Sequence, residues 1–136
     1  TGFISMFLGK VNTDTGQFEY SNAGHNPPIY YEAAIDSVHL LNPTGPAIGL
    51  ITDSKYKLES INLNSGDILL LYTDGATESR NEANEEFGLE RLISIVKESR
   101  NKNADELLSI LKKNIESFSN GVSHDDMTFL LLKKDA

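Results

Sequence analysis

The stretch Ile68-Leu69-Leu70-Leu71-Tyr72-Thr73-Asp74-Gly75 constrains this chain more than any other. Its five successive apolar or aromatic side chains follow the turn residues Asn64-Ser65-Gly66-Asp67 and read as a strand covered on both faces. The run ends in a carboxylate and a glycine. A charge at the rim of a core is costly to desolvate unless a cation or hydrogen bonds compensate it. Gly75 lets the backbone turn sharply there or come close to a ligand. An ordinary Asp-Gly turn would leave the same residues, and the octapeptide alone does not decide between the two.

A second acidic group bears on that choice. His124-Asp125-Asp126-Met127-Thr128 opens another apolar strand, Phe129-Leu130-Leu131-Leu132. These acids precede their strand, whereas Asp74 follows its own. If the two strands are antiparallel neighbours, Asp74 and Asp125 meet at one end of the sheet. Carboxylates gathered from distant parts of a chain share a cation or a proton. All-oxygen ligation completed by water suits Mg²⁺ or Mn²⁺. Two unrelated turn acids are the competing reading.

With 136 residues the chain fits one domain. A chain of this size buries roughly two thirds of its unfolded surface, so a real core is expected. The net charge of −8 argues against nucleic acid as a partner. It leaves room for a phosphorylated protein if a metal supplies the positive charge. The absence of cysteine excludes disulfides and Cys-ligated zinc, and suits the reducing cytoplasm. No apolar stretch approaches the roughly 18 residues that span a membrane, and no signal peptide is visible. The chain opens at Thr1-Gly2, directly before a strand and without Met, and so reads as a piece of a longer protein.

Phe3 to Val11 is apolar on both alternations and reads as a buried central strand. Asn12 to Gly16 reads as a hairpin loop, and Phe18 and Tyr20 alternate with Gln17 and Glu19 in a strand with one wet face. Ala23 to Pro28 is a rigid loop, because its prolines fix φ and restrict the residue before them. A second hairpin joins Ile29-Tyr30-Tyr31 to Val38-His39-Leu40-Leu41, and Tyr56 to Leu63 reads as a further strand. Leu89, Leu92, Ile93 and Val96 follow helical spacing. Asn103 and Glu106 form a capping box for a second helix with the apolar face Leu107, Leu108, Leu111, Ile115 and Phe118. Six or seven strands with two late helices make an α+β arrangement, an antiparallel sheet with helices on one face.

Six stretches then carry a resemblance: Phe3-Ile4-Ser5-Met6-Phe7; Tyr20-Ser21-Asn22-Ala23-Gly24-His25-Asn26-Pro27-Pro28; Pro46-Ala47-Ile48-Gly49; Gly66-Asp67 through Asp74-Gly75-Ala76-Thr77-Glu78; Phe87-Gly88; and His124 to Thr128. In this order, across almost the whole chain, they resemble the bacterial stage II sporulation protein E-like phosphatases, a branch of the metal-dependent type 2C (PPM) serine/threonine phosphatases. The resemblance implies an antiparallel β-sandwich flanked by helices, with two Mn²⁺ or Mg²⁺ ions at one end. It implies hydrolysis of phosphoserine or phosphothreonine by metal-activated water, with no phosphoenzyme and no catalytic side chain. By motif match Asp74 and Asp125 are metal ligands, and Asp126 is a neighbour that orients. Gly75, His25 and Asn26 fall at the edge of the site; a His25 merely hydrogen-bonded within its loop is the competing reading. His124 reads as a solvated loop residue and His39 as a strand residue.

The family also carries an earlier Asp-x-x-Gly-His-Gly segment whose Asp bridges both metals, and this sequence contains none. Residues 1–136 therefore read as about the C-terminal two thirds of the catalytic domain, inactive in isolation. Without the cover of that segment, an exposed apolar surface or open strand edge is expected near the N-terminus, favouring self-association. The implied substrate is a phosphorylated anti-sigma-factor antagonist in stress or sporulation signalling, with sensory domains upstream in the parent chain. A non-catalytic partner-binding module of the same fold is the alternative. A simple divalent-cation binder is a third reading, and the lack of an Asp-x-Asp-x-Asp-Gly loop speaks against it.

Overall fold

The structure, a computed structural model, describes residues 2–122 and 126–135. In chain order its strands are β1 (Met6–Val11), β2 (Gln17–Ala23), β3 (Ile29–Glu32), β4 (Ser37–Leu40), β5 (Glu59–Asn62), β6 (Ile68–Tyr72) and β7 (Phe129–Lys133). Between β6 and β7 lie α1 (Asp74–Thr77), α2 (Gly88–Glu98) and α3 (Ala104–Phe118). The strands form two antiparallel sheets, β1-β2-β5 and β4-β3-β6-β7.

The alternation along β6 explains the layering. Leu69 and Leu71 join Phe18, Tyr20, Tyr30, Leu41 and Leu63 in the core between the sheets. Ile68, Leu70 and Tyr72 turn the other way, onto Leu92 and Val96 of α2 and Leu107, Leu111 and Ile115 of α3. Ile68, Leu69 and Leu70 are each 0% exposed. The apolar run is thus continuous because both faces of the strand are covered, by a sheet on one side and helices on the other. The chain is a β-sandwich with helices outside its larger sheet.

Asp67 fixes the turn that feeds β6. It is buried, and its carboxylate accepts from the Tyr30 hydroxyl at 3.0 Å and from the amides of Ala33 and Asn64 at 2.8 Å each. The hairpin from β3 to β4 turns through a short 3₁₀ segment, Ala33–Ile35, and a left-handed Asp36. At the start of α3 the Asn103 side chain accepts from the Glu106 amide at 2.8 Å, the N-cap bond that the sequence predicts.

One expectation is overturned. Phe3 to Val11 is not a buried central strand: β1 begins at Met6 and lies at the edge of the smaller sheet, with β2 its sole strand partner among the described residues. Phe7 turns inward and stacks on Phe18 and Tyr20 at 6.3 and 5.4 Å, while Met6 and Leu8 face outward at 46% and 67% exposure. Apolar residues on both alternations show that a strand can be covered twice, not which neighbours cover it. Phe3, Ile4, Leu50, Ile51 and Leu58 are exposed as well, so the apolar surface and open edge expected near the N-terminus are both present.

Candidate metal centre at the end of the large sheet

β6 and β7 run antiparallel with Tyr72 opposite Phe129, so the chain leaves β6 where it enters β7. The pairing continues past both strands. The Thr73 amide donates to the Thr128 carbonyl at 3.2 Å, and the Thr128 amide donates to the Thr73 hydroxyl oxygen at 3.0 Å. That hydroxyl also donates to the Asp126 carbonyl at 3.5 Å. Thr73 stands at the N-cap of α1 but caps nothing, because its side chain is committed to the neighbouring strand.

Gly75 completes this clamp. A Cβ at position 75 would overlap the Asp126 carbonyl oxygen. Gly75 sits inside α1 without a positive φ, so its glycine serves close approach rather than a sharp turn. What approaches is the protein's own backbone. Segment 126–128 is thereby pressed against the start of α1.

Asp74 projects from this junction, exposed to solvent, and its Oδ1 accepts from the Asn26 side-chain amide at 2.6 Å. Asn26 arrives from the loop between β2 and β3, which is tied down on both sides. Asn22 is fully buried, accepts from the His25 amide at 2.8 Å and donates to the Leu41 carbonyl at 3.0 Å. Gly24 has φ +64° and lies so close to Ala47 that a Cβ would come within 2.7 Å of its amide nitrogen. Pro28 is buried, and its carbonyl accepts from the Leu41 amide at 2.9 Å.

His25 lies in the same loop but turns elsewhere: its Nδ1 is 3.0 Å from the Ser5 hydroxyl. Among the described residues no hydrogen bond joins it to Asp74. Asp126 is exposed, and its backbone carbonyl is what Gly75 and Thr73 meet. Asp125 and His124 lie outside the described residues. His39 is a strand residue, 2.9 Å from Glu32. Beneath the centre, burial and the nearby Asp74 charge push the Tyr72 hydroxyl up to about 12, so it stays protonated at neutral pH.

Thr73 and Asn22 escape a reading of motifs. The available signal for Asn22 is its alternation: it shares the inward face of β2 with Phe18 and Tyr20, where a polar side chain must be bonded. The signal for Thr73 is weaker, a hydroxyl between an apolar strand and an acid.

Among the described residues no three His, Asp or Glu side chains cluster as a metal site. Asp74 by itself fits the ligand of a hard divalent cation. It is an exposed carboxylate whose Oδ2 makes no hydrogen bond to a described residue, and Mg²⁺-type ions take one or two carboxylates and keep several waters.

The family model for stage II sporulation protein E matches residues 1–135. Protein IcfG of Synechocystis is 30% identical over 98% of this chain, and the phosphoserine phosphatase RsbU of Bacillus subtilis is 32% identical over 97%. The chain spans 21% and 39% of the length of these two relatives. Among solved structures, the RsbU and RsbW domains of a Mycobacterium tuberculosis protein superpose with a TM-score of 0.78 at 28% identity, covering 97% of this chain and 36% of that one. The SiaA-PP2C domain of Pseudomonas aeruginosa gives 0.81 at 21% identity, covering 96% and 52%. By sequence and by fold, the chain belongs to the stage II sporulation protein E family.

Proposed function

We propose that this chain forms part of a Mn²⁺- or Mg²⁺-dependent phosphatase that removes phosphate from serine or threonine of a regulatory protein of the anti-sigma-factor-antagonist kind. The observation that carries the reading is Asp74: an exposed carboxylate at the end of two paired strands of the larger sheet, with one oxygen held by Asn26. The name of the relative RsbU, a phosphoserine phosphatase, supports the substrate class. A divalent cation bound there supplies Lewis acidity and neutralises charge on the transferring phosphoryl group. Asp74 anchors the ion, Asp125 is its second proposed ligand, and Asp126 orients the segment that carries it. Gly75 and His25 lie at the rim. An exposed site accepts a phosphorylated side chain presented by another protein. Sensory domains elsewhere in the parent chain and a cytoplasmic location belong to the same proposal.

Mn²⁺-dependent hydrolysis of a phosphoserine peptide by the complete protein tests it. Asp74→Asn and Asp125→Asn should each abolish turnover, while the metal-free melting temperature holds or rises as carboxylate repulsion is relieved. Wild-type turnover by either variant at saturating Mn²⁺ would remove that residue from the site. With Asp74 and Asp125 as its proposed ligands and no Asp-x-x-Gly-His-Gly segment in its sequence, residues 1–136 alone should bind Mn²⁺ weakly and turn over little substrate. The alternative is a partner-binding module of the same fold without catalysis. That reading expects binding of the phosphorylated partner with no Mn²⁺-dependent turnover by the complete protein.

A further inference from the structure

The contact between Asn26 and Asp74 joins residues 48 positions apart in the chain, and among the described residues it is the shortest side-chain bond at the sheet end. A carboxylate can only accept, so the amide must present its N–H, which leaves Asn26 one defined orientation. The loop bearing it is rigid for reasons independent of Asp74. Pro27 restricts the backbone of Asn26 to extended conformations, Pro28 is buried, and Asn22 bonds the loop below. Asn26 is itself half-buried, so its amide is held in place before any ligand arrives.

We infer that Asn26 is a positioning residue: its amide fixes the Asp74 carboxylate with Oδ1 occupied and Oδ2 turned to a divalent cation. The inference rests on the proposed metal-dependent reading of Asp74. Carboxylates that ligate metals are themselves oriented by hydrogen bonds, and loss of such a partner costs roughly 10- to 100-fold in metal affinity. His25, next in the chain, has its ring committed to Ser5 and does not share this role.

Two measurements on the complete protein test the inference. Mn²⁺ titration followed by electron paramagnetic resonance should show Asn26→Ala and Asn26→Ser binding roughly 10- to 100-fold more weakly than wild type, with metal-free melting temperatures close to wild type. In metal-free protein, one Asn26 side-chain amide proton should resonate downfield of exposed asparagines and return to their range in Asp74→Ala. Unchanged Mn²⁺ affinity in a folded variant overturns the inference. So does a fall in melting temperature with affinity intact, which marks Asn26 as a loop support. If wild type binds Mn²⁺ no better than Asp74→Asn does, the metal reading fails and the positioning role with it, while the amide resonance separately reports whether the contact exists.

Discussion

Replacing Gly75 by alanine would drive a methyl group into the Asp126 carbonyl, and the neighbour is backbone that cannot rotate away. We expect Gly75→Ala to cost about 1–3 kcal/mol, as overpacking does, read from the urea midpoint. Mn²⁺ binding should weaken with it, because segment 126–128 must separate from α1. Wild-type values for both would mean the junction relaxes freely. The tyrosines set a limit at high pH. Tyr72 and Tyr30 are raised above the ordinary phenol range by burial and then by Asp74 and Asp67, and Tyr20 and Tyr31 are raised by burial first. A raised folded pKa means the folded state keeps a proton that the unfolded chain gives up near pH 10. Their contribution is therefore complete below pH 10 and falls as pH rises toward 12. Stability measured by urea unfolding should drop over that interval, and less steeply in Tyr72→Phe. At this scale the motif residues Asp74, Gly75 and Asn26 were legible in the sequence. Thr73 was not, since its partner lies 55 residues away and nothing local names it.

Elements with a strong period and explicit ends were the most legible. The apolar face of α3 has Leu107, Leu111 and Ile115 buried and Leu108 and Phe118 partly so, as its spacing dictates. Removing the cap with Asn103→Ala should cost about 1 kcal/mol in urea unfolding; an unchanged midpoint would show that tertiary packing holds the first turn without it. β6 was legible because a strand buried twice has no polar alternation. β1 carries the same signature and sits at an edge. Hydrophobic pattern records the cover a strand can use, and the topology decides what it receives. The two-sheet arrangement was likewise available from the family resemblance, whereas the periodicities pointed only to a sheet with helices on one face.

For the molecule as a whole, Ile4, just ahead of β1, and the outward Met6 and Leu8 of β1 form an exposed apolar band. Among the described residues no further strand pairs the outer edge of β1, and Leu58 is exposed just ahead of β5. Open edges invite pairing with a further strand. Sedimentation of residues 1–136 alone should show concentration-dependent self-association, reduced in the double variant Met6→Lys, Leu8→Lys. A monomer across the accessible concentration range would show that the band is tolerated in water.

The clamp between Thr73 and Thr128 also has a consequence in time. Its two halves are separated by 55 residues that include α2 and α3, so closing it requires the largest loop in this part of the fold. A nascent chain that has emerged only through α3 already holds Asp74 and Asn26 but lacks the strand that completes the sheet beside them. The junction around Asp74 is therefore completed only after α3 has been made, when β7 docks, and the order of the strands works as a clock.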